Sequence, residues 1–145
     1  MENKSLIFYG LMRSGNHAII HWLAKAISSP LNKEYKTMIY TNKDKKLVFF
    51  NDCTNTVMQI MGIFNKYSDY DNIWGSVEDF YKKKERLVIE PILKNPIQVF
   101  IFRDLIDCYK SRKKLFGSDV TLESTIDSYL KLYEESQKTP SDIII

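Results

Sequence analysis

Gly10-Leu-Met-Arg-Ser-Gly15-Asn-His17 is the stretch that decides the fold of this 145-residue chain. It follows Leu6-Ile-Phe-Tyr9, a short apolar run with β-branched and aromatic residues that Gly10 stops, so a strand is expected there. Beyond Gly15, Ile19, Trp22, Leu23, Ala26 and Ile27 recur at helical spacing, and Pro30 ends the pattern. Trp22 reads as core packing on that helix. A strand, a tight glycine turn and a helix in this order make an anion cradle. Successive backbone N–H groups converge on one point, and the helix N-terminus behind adds partial positive charge. Gly15 allows a phosphate to approach with no Cβ in the way.

Outward from the loop, further strands are expected at Met38–Tyr40, Leu47–Phe50, Leu87–Ile89, Val99–Phe102 and Ile143–Ile145. The last three are unbroken apolar runs, the pattern of strands covered on both faces. Helices are expected at Leu105–Leu115 and Leu122–Tyr133, the latter with Leu122, Ile126, Leu130 and Tyr133 on its buried face. The segment from Cys53 to Lys84 reads as helix at Val57–Phe64, a polar loop at Tyr67–Asn72 and helix again at Val77–Lys83. Lys82–Lys84 reads as the solvated end of that helix. Strands alternating with helices predict one three-layer α/β/α domain over residues 1–145, with a mostly parallel central sheet.

Composition narrows the class. A hydrophobic fraction of 44% and an aromatic fraction of 13% belong to a folded domain. A net charge of +3 leaves no electrostatic footprint for nucleic acid, though it suits an anionic ligand. Cys53 and Cys108 stand in no metal-ligand spacing and read as two reduced thiols. With neither a secretory h-region nor a membrane span legible, a cytoplasmic protein is expected.

The residues after Gly15 separate two kinds of phosphate loop. A Walker A loop places Lys there to reach the β- and γ-phosphates, then Ser or Thr to hold Mg²⁺. This chain has Asn16 and His17, which supply neither the cation nor the hydroxyl. The loop resembles instead the 5′-phosphosulfate loop of the sulfotransferases that use 3′-phosphoadenosine 5′-phosphosulfate (PAPS), roughly Pro-Lys/Arg-Ser-Gly-Thr-Thr/Ser. Arg13 takes the basic place, and Ser14 and Gly15 match outright. Met12 replaces the proline, and Asn16 and His17 replace the hydroxyl residues. The resemblance implies that Arg13 contacts the phosphosulfate oxygens and that no metal is needed.

Val99-Phe-Ile-Phe-Arg103-Asp-Leu-Ile-Asp107-Cys-Tyr-Lys-Ser111 carries the resemblance further. The family follows a strand with Arg-Asp/Asn-Pro-x-Asp-x-x-x-Ser and grips the 3′-phosphate of its cofactor there. Arg103, Asp104, Asp107 and Ser111 fall in register, and Leu105 replaces the proline. The resemblance therefore implies a P-loop-type fold and a cofactor site of Arg13, Ser14, Gly15, Asn16, His17, Arg103 and Ser111. It also implies sulfuryl transfer from PAPS to a hydroxyl or amine acceptor, a small molecule or a glycan. Glu90, after the expected strand at Leu87–Ile89, is the candidate general base, with Asp52 as reserve. Arg13 and His17 would assist at the reacting group. His17 and His21 stand four apart, but no third ligand at suitable spacing is evident, so no metal site is expected.

The chain is shorter than full-length members of that family, which implies a short or C-terminally truncated member. Two other readings stand beside it: a non-catalytic nucleotide-binding module of the same fold, and a P-loop kinase with an unusual loop. An exposed final strand would also suit a partner subunit, hence a homo-oligomer.

Overall fold

A computed structural model describes residues 4–11, 15–34, 39–51, 65–78, 93, 96–138 and 143–145. Among them are seven strands: β1 (Lys4–Gly10), β2 (Asn32–Lys33), β3 (Ile39–Thr41), β4 (Leu47–Phe50), β5 (Asn72–Glu78), β6 (Ile97–Ile101) and β7 (Ile143–Ile144). Three helices accompany them: α1 (Asn16–Ile27), α2 (Leu105–Phe116) and α3 (Leu122–Lys138). The strands form one sheet in the order β2-β3-β4-β5-β1-β6-β7. Its β4-β5-β1-β6-β7 portion is parallel, and β2 and β3 add an antiparallel edge.

The pleat sorts the strand residues onto two faces. Phe8 of β1, Phe49 of β4, Trp74 of β5 and Ile101 of β6 pack with Ile20 and Ala24 of α1. Ile7, Tyr9, Val48, Ile73 and Phe100 pack on the other face with Cys108 of α2 and Leu132 of α3. Helices on both faces of a mostly parallel sheet are the layers the alternating pattern predicts.

Several details differ from the sequence expectations. The stretch expected as helix from Val77 begins instead within β5, which runs from Asn72 to Glu78 between β4 and β1. On α1 the buried positions are Asn16, Ile20 and Ala24, an i, i+4 row, with Ile19 and Leu23 at its margin. Ala24 is small enough to let the helix approach the sheet closely. Trp22 points outward and is 68% exposed, contrary to its reading as core. On α3 the buried residues are Thr125, Leu132 and Ser136, while Leu122, Leu130 and Tyr133 of the expected inner face are exposed. Ile143, Ile144 and Ile145 are half exposed at the sheet edge, not covered on both sides. The segments expected at Val57–Phe64, Lys82–Lys84 and Leu87–Ile89, together with Cys53, lie outside the described residues.

Candidate functional site

Connectivity places the site before any side chain does. From β1 the chain leaves through α1 on one face towards β2, β3 and β4. From β6, the neighbour of β1, it leaves through α2 and α3 on the opposite face towards β7. The strand order thus reverses between β1 and β6. In open α/β sheets the crevice outside the carboxyl ends of such a pair is where ligands bind. Gly10 and Ile101, the last residues of the two strands, are register partners. The loop after Gly10 and the Arg103–Asp104 segment after Ile101 therefore leave the sheet side by side.

On the β1 side, Gly15 caps α1 in the left-handed region, with φ +88°. A Cβ there would meet nothing within 4 Å, so the backbone angle and not space calls for glycine. The helical ladder opens with the Ile19 N–H donating to the Gly15 carbonyl at 3.2 Å. The amides before it belong to the end of the helix, the arrangement that favours an anion. Asn16 is 3% exposed, and its side chain lies against Gly10 at the far end of the loop. Arg13 and Ser14 lie outside the described residues, as do Glu90 and Asp52.

On the β6 side, Arg103 is exposed two residues beyond the strand. Asp104 is the N-cap of α2; its carboxylate accepts the Asp107 N–H at 3.0 Å. Leu105 is the first residue of the helix, a place where proline is tolerated but not required. Its substitution for the proline of the motif thus leaves the turn intact. Ser111 is half buried in the second turn of α2. Asn16 thus packs against Gly10 at the end of β1, Arg103 stands two residues beyond β6 and Ser111 lies further along α2, while the His17 ring packs towards Tyr40 of β3 and Phe49 of β4.

Sequence reasoning missed two features nearby. Arg112 is buried on the same face of α2 as Cys108, four residues before it; that spacing was a legible signal. The second feature is a cluster of rings at the start of α1. His17 stands edge-on to His21, Tyr40 and Phe49 at centroid distances of 5.5, 5.3 and 6.0 Å. His21 is 5.2 Å from Tyr40. The His17 Nε2 is buried with no hydrogen-bond partner among the described residues. Among those residues no group of three or more His, Cys, Asp or Glu could hold a metal ion. No helix there is long and apolar enough to cross a membrane.

Burial first, and then the charge of neighbouring His17, hold His21 below the ordinary imidazole range. Unfolding restores its ordinary value near 6.5, so just below that pH the unfolded chain binds more protons. The stability His21 confers by staying neutral is complete above about pH 6.5 and is lost as pH falls towards its lowered value. His21→Gln should therefore lose less stability than the wild type between pH 7 and pH 5. Parallel urea titrations at several pH values check this, and a constant difference between the two proteins would count against it.

No family model and no curated protein matches the chain. Among solved structures, a gluconokinase from Sinorhizobium meliloti 1021 is similar, with a TM-score of 0.54 and 12% identity, over 99% of this chain and 82% of that one. At that identity the likeness concerns the fold alone: this chain has a P-loop-like α/β fold, and the likeness does not reach the sulfotransferase family.

Proposed function

We propose that the chain binds a phosphorylated nucleotide in the crevice between β1 and β6 and transfers a charged group from it. What supports this reading is that Gly10 and Ile101, the last residues of β1 and β6, are register partners where the strand order reverses, with Gly15 capping α1 and Arg103 two residues beyond β6. The loop amides, with Arg13, would hold one phosphate group. Arg103 and Ser111 would hold another, and Glu90 would take the acceptor proton.

Two group-transfer chemistries compete for this site. The structural comparison backs phosphoryl transfer to a small acceptor better, because the similar structure is a kinase and the Gly10–Gly15 spacing is that of a P-loop. The residues that should follow are missing, however. Asn16 is buried against Gly10, where the lysine would reach the phosphates, and His17 lacks the hydroxyl that would ligate Mg²⁺. Asn16 and His17 do not fit the magnesium-bound phosphates of a kinase. Sulfuryl transfer from PAPS needs neither residue and uses the Arg103-to-Ser111 motif. That reading rests on the motifs alone. A module that binds the nucleotide without turnover would keep the same contacts.

Calorimetric titration with 3′,5′-ADP, and with 5′-ADP in the presence and absence of Mg²⁺, separates these readings. Asn16 and His17, in place of a lysine and a hydroxyl, predict metal-independent binding, and the Arg103-to-Ser111 motif predicts preference for the bisphosphate. Binding of 5′-ADP that requires Mg²⁺ would establish the kinase reading instead. Failure of every nucleotide to bind would overturn the proposal.

A further inference from the structure

We infer that the layer formed by α2 and α3 docks on the same layer of a second copy of this chain, α2 of each molecule lying on α3 of the other. Nothing in this surface depends on nucleotide binding, and both helices are described from end to end.

Each helix turns outward a row of charge of one sign. On α2 the buried residues are Cys108 and Arg112. Ile106, Lys110 and Lys113 follow one another at i, i+4 and i+7 on the opposite side, and all three are exposed, as is Lys114 beside them. On α3 the buried residues are Thr125, Leu132 and Ser136. Glu123, Asp127, Leu130 and Glu134 run at i, i+4, i+7 and i+11 away from them, and all four are exposed. An apolar side chain is set into each row: Ile106, 44% exposed, among lysines, and Leu130, 51% exposed, among carboxylates.

Among the described residues none of the charges in the two rows has an ion pair within the chain. Lys113 donates from Nζ to the Tyr109 hydroxyl of its own helix at 3.1 Å, which leaves its charge uncompensated. Lys138, the cation one turn beyond Glu134, is paired with Glu135, and Lys131 stands to one side of the row.

Both helices pack on the same face of the sheet, through Cys108 and Leu132. A twofold axis between them sets the lysine row of each molecule against the carboxylate row of the other, twice over, and covers Ile106 and Leu130. Twofold, self-complementary pairing is the commonest form of oligomer. A net charge of +3 leaves little overall repulsion between copies. Helices of 12 and 17 residues make a contact at the small end of protein interfaces, roughly 1,200 Å² or less in total. Its rows are mostly charged, so the dimer should be weak, with a Kd of about 10–100 µM, and sensitive to salt.

Sedimentation equilibrium of the full chain, across a roughly hundredfold concentration range around that Kd, tests this. The wild type should pass reversibly from monomer to dimer, and added salt should move the midpoint several-fold upward. Lys110→Glu with Lys113→Glu, and separately Asp127→Lys with Glu134→Lys, should each weaken the dimer by about tenfold or more, because like charges then face each other. An equal mixture of the two reversed chains should dimerise again, since both contacts regain opposite signs. Chains that had failed to fold could not be rescued by mixing. Should a reversal prevent folding, Lys110→Gln with Lys113→Gln reads the same loss on a smaller scale. A wild type that stays monomeric at low salt would overturn the inference. So would a dimer that neither reversal weakens, which would place the contact elsewhere, or two folded reversed chains that do not recover on mixing. A monomeric wild type that binds phosphatidylserine vesicles, and loses them on the lysine reversal, would assign the α2 row to a lipid surface instead.

Discussion

Arg103→Ala is expected to lower the affinity for 3′,5′-ADP by roughly a hundredfold while leaving the fold in place. Hydrogen bonds to charged groups contribute about 1.5–3 kcal/mol each, and a tenfold change in affinity corresponds to about 1.4 kcal/mol. A guanidinium fork on a phosphate makes up to two such bonds in a fixed plane, so its loss falls at the upper end of that range. Arg103 is exposed, lies beyond β6, and precedes the residue that caps α2. Substitutions at exposed positions such as this usually change stability by about 0.5 kcal/mol or less. Arg103→Lys should recover only part of the affinity, because an ammonium keeps the charge but not the planar fork. The binding should also weaken with added salt for wild type more steeply than for Arg103→Ala. Calorimetry and thermal denaturation on the same samples read both quantities. Unchanged affinity in a folded variant would remove Arg103 from the site and leave the phosphate loop as the sole anchor.

How far the fold could be read from the sequence depended on how much of each element's burial was apolar. Leu6–Tyr9, Leu47–Phe50 and Val99–Ile101 were legible because covered strands need bulk on both faces, and these segments carry it. β5 was not legible, although it is as central as β1. Its middle is Gly75-Ser76, and the bulk there comes from Ile7 and Phe8, their register partners on β1. Ser76 is fully buried and donates to Asn51 Oδ1 at 3.2 Å, so a polar residue occupies a core place with its hydroxyl satisfied. The same chemistry misled the reading of α3. Thr125 and Ser136 face inward and turn their hydroxyls onto the helix backbone, at Thr121 O (3.0 Å) and Tyr133 O (2.7 Å). Small residues that satisfy themselves locally can pack closely, and periodicity of large apolar residues does not reveal them.

The site divides the same way. The glycine spacing and the Arg103-to-Ser111 pattern are local in sequence, and the structure makes Gly10 and Ile101, at the ends of β1 and β6, register partners. The packing of the Asn16 side chain against Gly10 joins residues six apart in sequence, and no spacing signals it. The ring cluster needs residues from α1, β3 and β4 together, and no spacing within one segment announces it.

Phe100→Ala is expected to destabilise the domain by about 3–5 kcal/mol, the range for removing a fully buried phenyl ring. Phe100 has no solvent exposure, and its ring stacks on Tyr9 of the neighbouring strand at 5.1 Å with 24° between planes. The cluster around it draws on β1 and β4 and on Cys108 of α2 and Leu132 of α3. Truncation therefore opens a cavity where both helices meet the sheet, and close-packed surroundings collapse into such a space only in part. For a domain of this size the loss corresponds to a Tm lower by roughly 10–15 °C. Phe116→Ala is the matched comparison, since Phe116 ends α2 with its ring partly in solvent; it should cost less than about 1 kcal/mol. Urea denaturation of the two variants reads the difference directly. Equal losses would mean that α2 and α3 do not pack on β6 as described. The placement of Arg103, three residues beyond Phe100 on that strand's exit, would then lose its support. A large gap between them ties the exit of β6 to the tightly packed core around Phe100, which fixes where the Arg103 segment leaves the sheet.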